Sequence, residues 1–240
     1  EKNDAHACFI FAKTYDNFAA GKGTPKDAAV ALKFYQKAAD LKLAEANFFL
    51  SQAYQYNFMN LKTDRQKTLD YLQKTLLYGN SGLKAEAYNN LAQIYDPGGD
   101  SEILTKKEKD RSKTRQFLEK SLELQPNSWT MDYIGGLYEE DKDYKTAAKY
   151  YLQSDNEQMN LEVAQWMIEG KNLPKDLPQA LKIIRNSIDK LEEQGYNKEN
   201  LNDYMGATNP VYLLNELYQC KKLISKKELG KWALDYNVCY

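Results

Sequence analysis

Two residue patterns alternate along this chain of 240 residues and keep step with each other. The first is an apolar residue followed four positions later by tyrosine, a spacing that places both side chains on one helix face. Its occurrences are Phe11/Tyr15, Leu50/Tyr54, Leu91/Tyr95, Ile134/Tyr138 and Leu214/Tyr218, with Trp166/Gly170 between the last two. Several of these apolar anchors are followed directly by a small residue, which favours close approach of a neighbouring helix.

A second helical signature follows the first pattern through most of the chain. It opens with Ala or Thr and carries an apolar pair at its fourth and fifth positions, as in ALKFYQKAA at 31–39. It returns at 68–76, 114–122, 147–155 and 180–188. Successive starts lie 37, 46, 33 and 33 residues apart, which is typical of helix–turn–helix repeats. Because two independent patterns share one register, the sequence predicts a series of antiparallel helix pairs.

The first unit, residues 12–41, resembles the Sel1-like repeat, a relative of the tetratricopeptide repeat. The matching positions are Tyr15, Gly21, Gly23, Asp27, Ala31, Phe34, Tyr35, Lys37, Ala38 and Ala39. The resemblance covers about residues 5–190 and is looser after the first unit. The second unit has FMNLKTD at 58–64 instead of a Gly-x-Gly turn, and the third carries a charged insertion at 98–113.

We therefore predict an all-α fold, a right-handed solenoid of antiparallel helix pairs in one domain spanning 1–240. Such pairs cannot bury their apolar faces alone, so they stack on one another. The insertion at 98–113 is expected to be a surface loop or an added short helix. The expected repeats are about 5–43, 44–84, 85–127, 128–160 and 161–195, followed by a divergent C-terminal capping pair at about 196–240.

Tyrosine is unusually frequent, with 19 residues against 8 Phe and 3 Trp. The repeat register assigns nine of them to the core, and the others are candidates for an interface, where aromatic side chains dominate the energetics. The nine core predictions are Tyr15, Tyr35, Tyr54, Tyr71, Tyr95, Tyr138, Tyr150, Tyr151 and Tyr218.

The charge balance argues against a nucleic-acid partner. The chain has 33 basic and 34 acidic side chains and a net charge of −1, so it presents no broad basic field. No stretch approaches the roughly 18 apolar residues that a membrane-spanning helix needs.

No motif predicts a catalytic, cofactor or metal site. GKGT at 21–24 lacks the spacing and the preceding strand of a phosphate-binding loop. DPGGD at 96–100 lacks the spaced ligands and closing Glu of a calcium-binding loop, and EEDKD at 139–143 is typical of a solvated turn. His6 is the only histidine, so schemes that need a histidine base are not supported. An enzyme that uses a pair of carboxylates is a remote alternative.

The cysteines are informative about the cellular compartment of the protein. Cys220 and Cys239 fall in two predicted consecutive helices, so an antiparallel pair could join them by a disulfide; two unrelated thiols are the equal alternative. The chain begins at Glu1, which fits a trimmed chain or a mature exported protein without its signal peptide. We expect a periplasmic or secreted protein, with the cytoplasm as the alternative.

In solenoids of the resembled class, the first helix of each pair lines the concave surface that binds proteins or peptides. Positions one or two residues before the apolar anchor, and two after it, point roughly away from the core at 100° per residue. For the phenylalanines at these positions, packing against the adjacent repeat is an alternative of equal weight to partner binding. The predicted partner-binding residues are Phe48, Phe49, Gln52, Asn89, Asn90, Gln93, Asp132, Tyr133 and Gln165.

We predict a non-catalytic protein that binds another protein. The resemblance implies bacterial proteins, often exported, that act as scaffolds or inhibitors, and most specifically an immunity protein that neutralises a secreted toxin or effector. A general envelope-assembly or regulatory scaffold with several clients is the alternative.

Overall fold

The chain is poor in helix breakers, with 12 Gly and 6 Pro. The computed structural model describes residues 4–15 and 27–196, together with positions 219 and 222. Ten α-helices and one short 3-10 turn, Phe58–Asn60, form its secondary structure within those ranges. The helices are α1 (Ala5–Tyr15), α2 (Ala28–Asp40), α3 (Ala44–Gln55), α4 (Arg65–Tyr78), α5 (Ser81–Tyr95), α6 (Arg111–Leu124), α7 (Ser128–Glu140), α8 (Tyr144–Ser154), α9 (Glu157–Glu169) and α10 (Leu177–Glu193).

The helices fall into two compact units. Unit 1 covers residues 1–126, where α1 packs on α2, α3 on α4 and α5 on α6. Unit 2 covers residues 127–240, where α7 packs on α8 and α9 on α10. This arrangement confirms the all-α prediction of consecutive helix pairs. The prediction of one domain with its particular repeat boundaries stays a prediction.

An aspartate caps the second helix of every described pair. Its carboxylate accepts a hydrogen bond from a backbone N–H in the first helical turn, as Asp64 does from Lys67 at 3.1 Å. An N-cap of this kind contributes about 0.5–2 kcal/mol to helix stability. The five capping residues are Asp27, Asp64, Asp110, Asp143 and Asp176.

The same aspartates also close the loop between the two helices of a pair. In each case the aspartate backbone N–H donates a hydrogen bond to a carbonyl oxygen at or near the C-terminal end of the first helix, which would otherwise lack a partner. The bonds are Asp27 to Tyr15 (3.2 Å), Asp64 to Tyr54 (3.2 Å), Asp110 to Tyr95 (2.8 Å), Asp143 to Tyr138 (2.9 Å) and Asp176 to Met167 (3.0 Å). The loops therefore differ in length, but each is closed by the same kind of backbone hydrogen bond.

Each second helix buries the residues four, eight and eleven positions after its aspartate cap. The first and last of these positions hold Ala, Ser or Thr, which let neighbouring helices approach closely; the middle one holds a large apolar or aromatic residue. The sets are Ala31, Thr68, Thr114, Ala147 and Ala180; then Tyr35, Leu72, Leu118, Tyr151 and Ile184; then Ala38, Thr75, Ser121, Ser154 and Ser187.

Most of the predicted core tyrosines lie where the register places them. Tyr35, Tyr54 and Tyr151 are buried. Tyr150 is half-buried and stacks on Tyr138 with ring centroids 5.8 Å apart. Tyr15, Tyr71, Tyr95 and Tyr138 are partly buried against the apolar clusters of their units. Tyr218 lies outside the described residues.

The insertion of the third repeat is more than a surface loop. Its Ile103 and Leu104 are only 4% exposed and join the apolar cluster that contains Leu72 and Leu91. Its Glu108 accepts a 2.7 Å hydrogen bond from the Arg65 guanidinium at the start of α4. The segment is therefore part of the core of unit 1, because two apolar side chains within its charged sequence gain free energy by leaving water.

Other predictions fall outside what the structure describes. These are the GKGT turn, Cys220, Cys239 and nearly all of the C-terminal capping pair. Within the described ranges, no helix combines the length and the hydropathy needed to cross a lipid bilayer.

Candidate functional site

The predicted partner-binding residues lie on the first helices of the pairs. We call the side of these helices that carries the predicted positions the first-helix face of each unit; unit 1 has it on α1, α3 and α5, and unit 2 has its own on α7 and α9. An Asn or Asp N-cap fixes where four of these helices begin, at Asp4, Asn80, Asn127 and Asn156. The face is described below for each unit separately.

The two predicted phenylalanines of α3 contribute mainly to packing. The ring of Phe49 stacks on the buried ring of Tyr35, with centroids 4.0 Å apart. Phe48 is half-buried against the cluster that contains Leu72 and Leu91. For both residues the structure therefore shows contact with neighbouring repeats.

Amide side chains make up the rest of the prediction in unit 1. Gln52 on α3 and Asn89 and Gln93 on α5 are half-buried, and α3 and α5 contact each other. Asn90 is only 6% exposed. We call Gln52, Asn89, Asn90 and Gln93 the amide patch.

Two of the buried amide oxygens of unit 1 have no hydrogen-bond donor among the described residues. Within the described part of the chain, the Asn90 Oδ1 atom is buried without a hydrogen-bond partner. The same holds for Oε1 of Gln55, an 8% exposed residue at the end of α3 that the sequence reasoning did not select. A buried carbonyl oxygen without a partner costs free energy, but both atoms are covered by the protein and are not open to a partner.

In unit 2 the predicted residues occupy three different surroundings. Asp132 on α7 is half-buried, and its Oδ2 accepts a 2.6 Å hydrogen bond from Asn156 Nδ2. Tyr133 packs edge-on against the exposed Trp129, with ring centroids 5.3 Å apart. Gln165 on α9 is half-buried.

Helical periodicity gave the wrong exposure for two further positions of α9. Ala164 and Ile168 lie two positions before and two after the anchor Trp166, so the same rule points them away from the core, but they are 0% and 8% exposed and belong to the apolar cluster of unit 2. The reason is that α9 packs against both α8 and α10. A helix covered on two sides buries a wider stripe than a surface helix does.

The sequence reasoning also missed a group of carboxyl residues around a tyrosine. Tyr151 Oη on α8 donates a 2.7 Å hydrogen bond to Glu139 Oε2 on α7. Glu162 on the neighbouring helix α9 is half-buried. Partial burial, followed by the neighbouring Glu139 charge, raises the pKa of Glu162 to about 7. Gly135 was the available signal, because a Cβ at that position would overlap the Tyr151 ring.

These surroundings suit a polar macromolecular surface. Amides both donate and accept hydrogen bonds, and carboxylates accept them. In the described ranges, no group of three or more His, Cys, Asp or Glu side chains is arranged to hold a metal ion.

Comparison with family models identifies the repeats. The model described as "Sel1 repeat" matches residues 16–43, 44–75, 85–125 and 133–154, which together make up about half of the chain. A search of curated protein sequences returns no match.

Solved structures with a similar fold include repeat proteins of bacteria. A Sel1 repeat protein from Oxalobacter formigenes is 21% identical, with a TM-score of 0.57, 92% of this chain covered and 89% of the other. A protective antigen of uropathogenic Escherichia coli strains, displaying an SLR fold, is 15% identical, with a TM-score of 0.41 and coverages of 97% and 62%. A Pseudomonas aeruginosa protein is 18% identical, with a TM-score of 0.42 and coverages of 92% and 82%. The likeness in fold rests on the first of these structures alone.

Proposed function

The chain belongs to the Sel1 repeat family, whose members generally mediate protein–protein interactions, and on this premise we propose that it binds a partner protein through its first-helix face. Family members are typically non-catalytic scaffolds. The observation that carries the proposal is the amide patch of unit 1, in which Gln52, Asn89 and Gln93 are half-buried on α3 and α5, two helices that contact each other.

The amide patch favours a partner that presents both hydrogen-bond donors and acceptors. Gln52, Asn89 and Gln93 are each half-buried, so part of each amide side chain is accessible. Main-chain N–H and C=O groups of a partner segment can pair with such amides, which both donate and accept hydrogen bonds. The near-zero net charge of −1 further favours recognition by local contacts over attraction between whole molecules.

In its most specific form, the proposal is an exported immunity protein that neutralises a secreted bacterial effector. The resemblance to repeat proteins that are often exported supports this form. An immunity protein of this kind would lie in the periplasm or be secreted. A single tight partner would distinguish it from a scaffold that serves several weak clients.

The test begins with capture of the partner from the native host, followed by affinity measurements with the purified partner. Gln52→Ala, Gln93→Ala and Tyr133→Ala change the proposed face. Phe48→Ala is a poor probe because Phe48 packs against the core cluster. Gln116→Ala, exposed on the second helix α6, is the matched control for Gln93→Ala.

We expect at least one face variant to raise the Kd about tenfold or more, since central contacts of an interface each contribute over about 1 kcal/mol. Gln116→Ala should leave the Kd unchanged. The proposal fails if all three face variants bind as tightly as the wild type.

A further inference from the structure

The first helix of unit 2 presents a pair of aromatic rings near its beginning. Trp129 on α7 is 49% exposed, and its ring meets the half-buried Tyr133 edge-on, with centroids 5.3 Å apart. The two residues lie one helical turn apart, and Gly136 and Glu140 continue the same row at helical spacing. Exposed tryptophan and tyrosine are enriched where proteins bind one another, so this row is a candidate contact surface.

Carboxylates flank the aromatic row. Asp132 Oδ2 accepts a 2.6 Å hydrogen bond from Asn156, the N-cap of α9. Glu139 Oε2 accepts a 2.7 Å hydrogen bond from the Tyr151 hydroxyl on α8. Both donors are neutral groups, so these bonds position the two carboxylates without cancelling their charge. Glu140, at the end of the row, is exposed.

The neighbouring helix α9 carries charge of the same sign. The bond from Asn156 to Asp132 places the beginning of α9 beside α7. α9 contains Glu157, Glu162 and Glu169 and no basic residue, and α7 likewise contains three acidic residues and no basic one. The first helices of unit 2 therefore carry six acidic residues and no lysine or arginine.

The basic residues in the helices of unit 2 lie on the second helices instead. They are Lys145 and Lys149 on α8 and Lys182, Arg185 and Lys190 on α10. Two cations do reach α9, at its ends: Lys190 Nζ lies 2.6 Å from Glu157, and Lys171 Nζ lies 3.6 Å from Glu169. With both pairs counted, α7 and α9 still carry more negative than positive charge.

The first helices of unit 1 do not share this excess of negative charge. Apart from His6, their charged residues are two lysines and two glutamates, namely Lys13, Lys84, Glu45 and Glu86. The combination of exposed aromatic rings with surplus carboxylates therefore distinguishes unit 2. We call Trp129, Asp132, Tyr133, Glu139 and Glu140 the acidic face of unit 2.

We propose that the acidic face of unit 2 binds a cationic segment of the partner protein, with an arginine or lysine side chain against the Trp129 ring and the carboxylates around it. A cation is attracted to the face of an aromatic ring, and most strongly to that of tryptophan. The planar guanidinium of arginine also stacks on such rings and pairs with carboxylates. This inference rests on the proposed function and adds the chemistry of the partner at unit 2.

The first test measures the binding of two fluorescein-labelled peptides to the full chain by fluorescence anisotropy. One peptide alternates arginine with glycine, and the other alternates glutamate with glycine. We expect the arginine peptide to bind with a Kd that rises with salt, because exposed charges are screened. The glutamate peptide should not bind. Equal binding of the two peptides would overturn the proposal.

Two variants locate the binding on the acidic face. Trp129→Ala should raise the Kd of the arginine peptide about fivefold, and Glu140→Gln should raise it about twofold. Tyr56→Ala, which removes a 47% exposed ring from unit 1, is the aromatic control. Glu193→Gln, at an exposed position that ends α10 as Glu140 ends α7, is the charge control. Both controls should leave the Kd unchanged; a wild-type Kd in Trp129→Ala would refute the proposal.

A further measurement needs no variant. The indole N–H signal of Trp129 in NMR spectra should shift as the arginine peptide is added, whereas that of the buried Trp166 should not. A Trp129 signal that stays in place would contradict the proposal. Sedimentation of the chain alone tests the other occupant, since self-association that Trp129→Ala abolishes would assign the face to a second copy and overturn the cationic partner.

The peptide assay does not require the native partner, so the two proposals can fail separately. If the arginine peptide does not bind while the host yields a partner protein, the cationic chemistry is wrong and the binding function stands. If the host yields no partner while the peptide binds to the acidic face, the binding function is wrong and the chemistry of the face stands.

Discussion

The backbone N–H of Asp110 donates a 2.8 Å hydrogen bond to the carbonyl oxygen of Tyr95, which closes the loop between α5 and α6 that carries most of the insertion in the third repeat. The same bond joins Asp143 to Tyr138 across a compact turn, at 2.9 Å. The cost of closing a longer loop grows slowly with its length. A fixed closing bond therefore lets the repeat accept insertions without changing how its two helices begin and end.

Loss of the Asp110 carboxylate should destabilise unit 1. The Asp110 side chain caps α6 by accepting hydrogen bonds from the N–H groups of Ser112 and Lys113, at 2.8 and 3.3 Å. We expect Asp110→Ala to lower the free energy of unfolding by about 1 kcal/mol, measured by urea denaturation. Asp100→Ala, at an exposed position of the same insertion, should change it little. Equal effects of the two substitutions would refute the capping role.

Removing the buried side chain of Ile103 should cost more than removing a cap. Ile103 is 4% exposed within the cluster of unit 1, and truncation of a buried isoleucine to alanine typically costs about 2–5 kcal/mol. We expect Ile103→Ala to shift the denaturation midpoint to clearly lower urea. Glu102→Ala changes the exposed neighbour and should leave the midpoint near the wild-type value. A mild effect of Ile103→Ala would show that the insertion is dispensable to the core.

Alanine substitutions at the two adjacent glycines of α7 should change the stability of the chain in different ways. At Gly135 a Cβ would lie 2.4 Å from the Tyr151 ring, whereas at Gly136 it would lie 3.7 Å from the Tyr151 hydroxyl. Gly135→Ala should destabilise the chain by about 1–3 kcal/mol through overpacking. Gly136→Ala should be neutral or stabilising by up to about 1 kcal/mol, since alanine is the better helix former. Thermal unfolding of both variants tests this order, and its reversal would contradict the described position of Tyr151.

The contact between Glu108 and Arg65 should make a pH-dependent contribution to stability. The Thr105 N–H, then the Thr105 hydroxyl, and then Arg65 lower the pKa of Glu108 to about 2. For an acid with a lowered pKa, the stabilisation is present above the ordinary value of 4.5 and is lost as pH falls toward 2. Glu108→Gln should therefore be less stable than the wild type at pH 7, and the difference should shrink as pH falls toward 2. A difference that does not depend on pH would exclude this ionic contribution.

Some features could be predicted from sequence because they repeat. The apolar anchors and the signature at 31–39 recur with helical spacing, and Tyr35, Leu50 and Leu91 are buried as that spacing predicts. Because the two patterns keep a nearly constant spacing from each other along the chain, they also predicted that successive helices pair.

Other features could not be predicted because they depend on contacts between elements. The periodicity placed Asn90 away from the core together with Asn89, yet Asn90 is buried and Asn89 is half-buried. Similarly, nothing in the charged sequence of the insertion indicates that Ile103 and Leu104 enter the core. The path of a loop is set by the surface on which it packs, and helical periodicity carries no information about that surface.

By itself, the sequence determined the family, the helix pairs and the spacing of their buried residues, since each follows from side chains that recur along one helix. Only the tertiary structure decided which side chains of the first-helix face remain accessible. It also brought the Tyr151 ring on α8 against Gly135 and its hydroxyl to Glu139, both on α7. Their proximity depends on how α7 packs against α8, and the periodicity of a single helix carries no information about that packing.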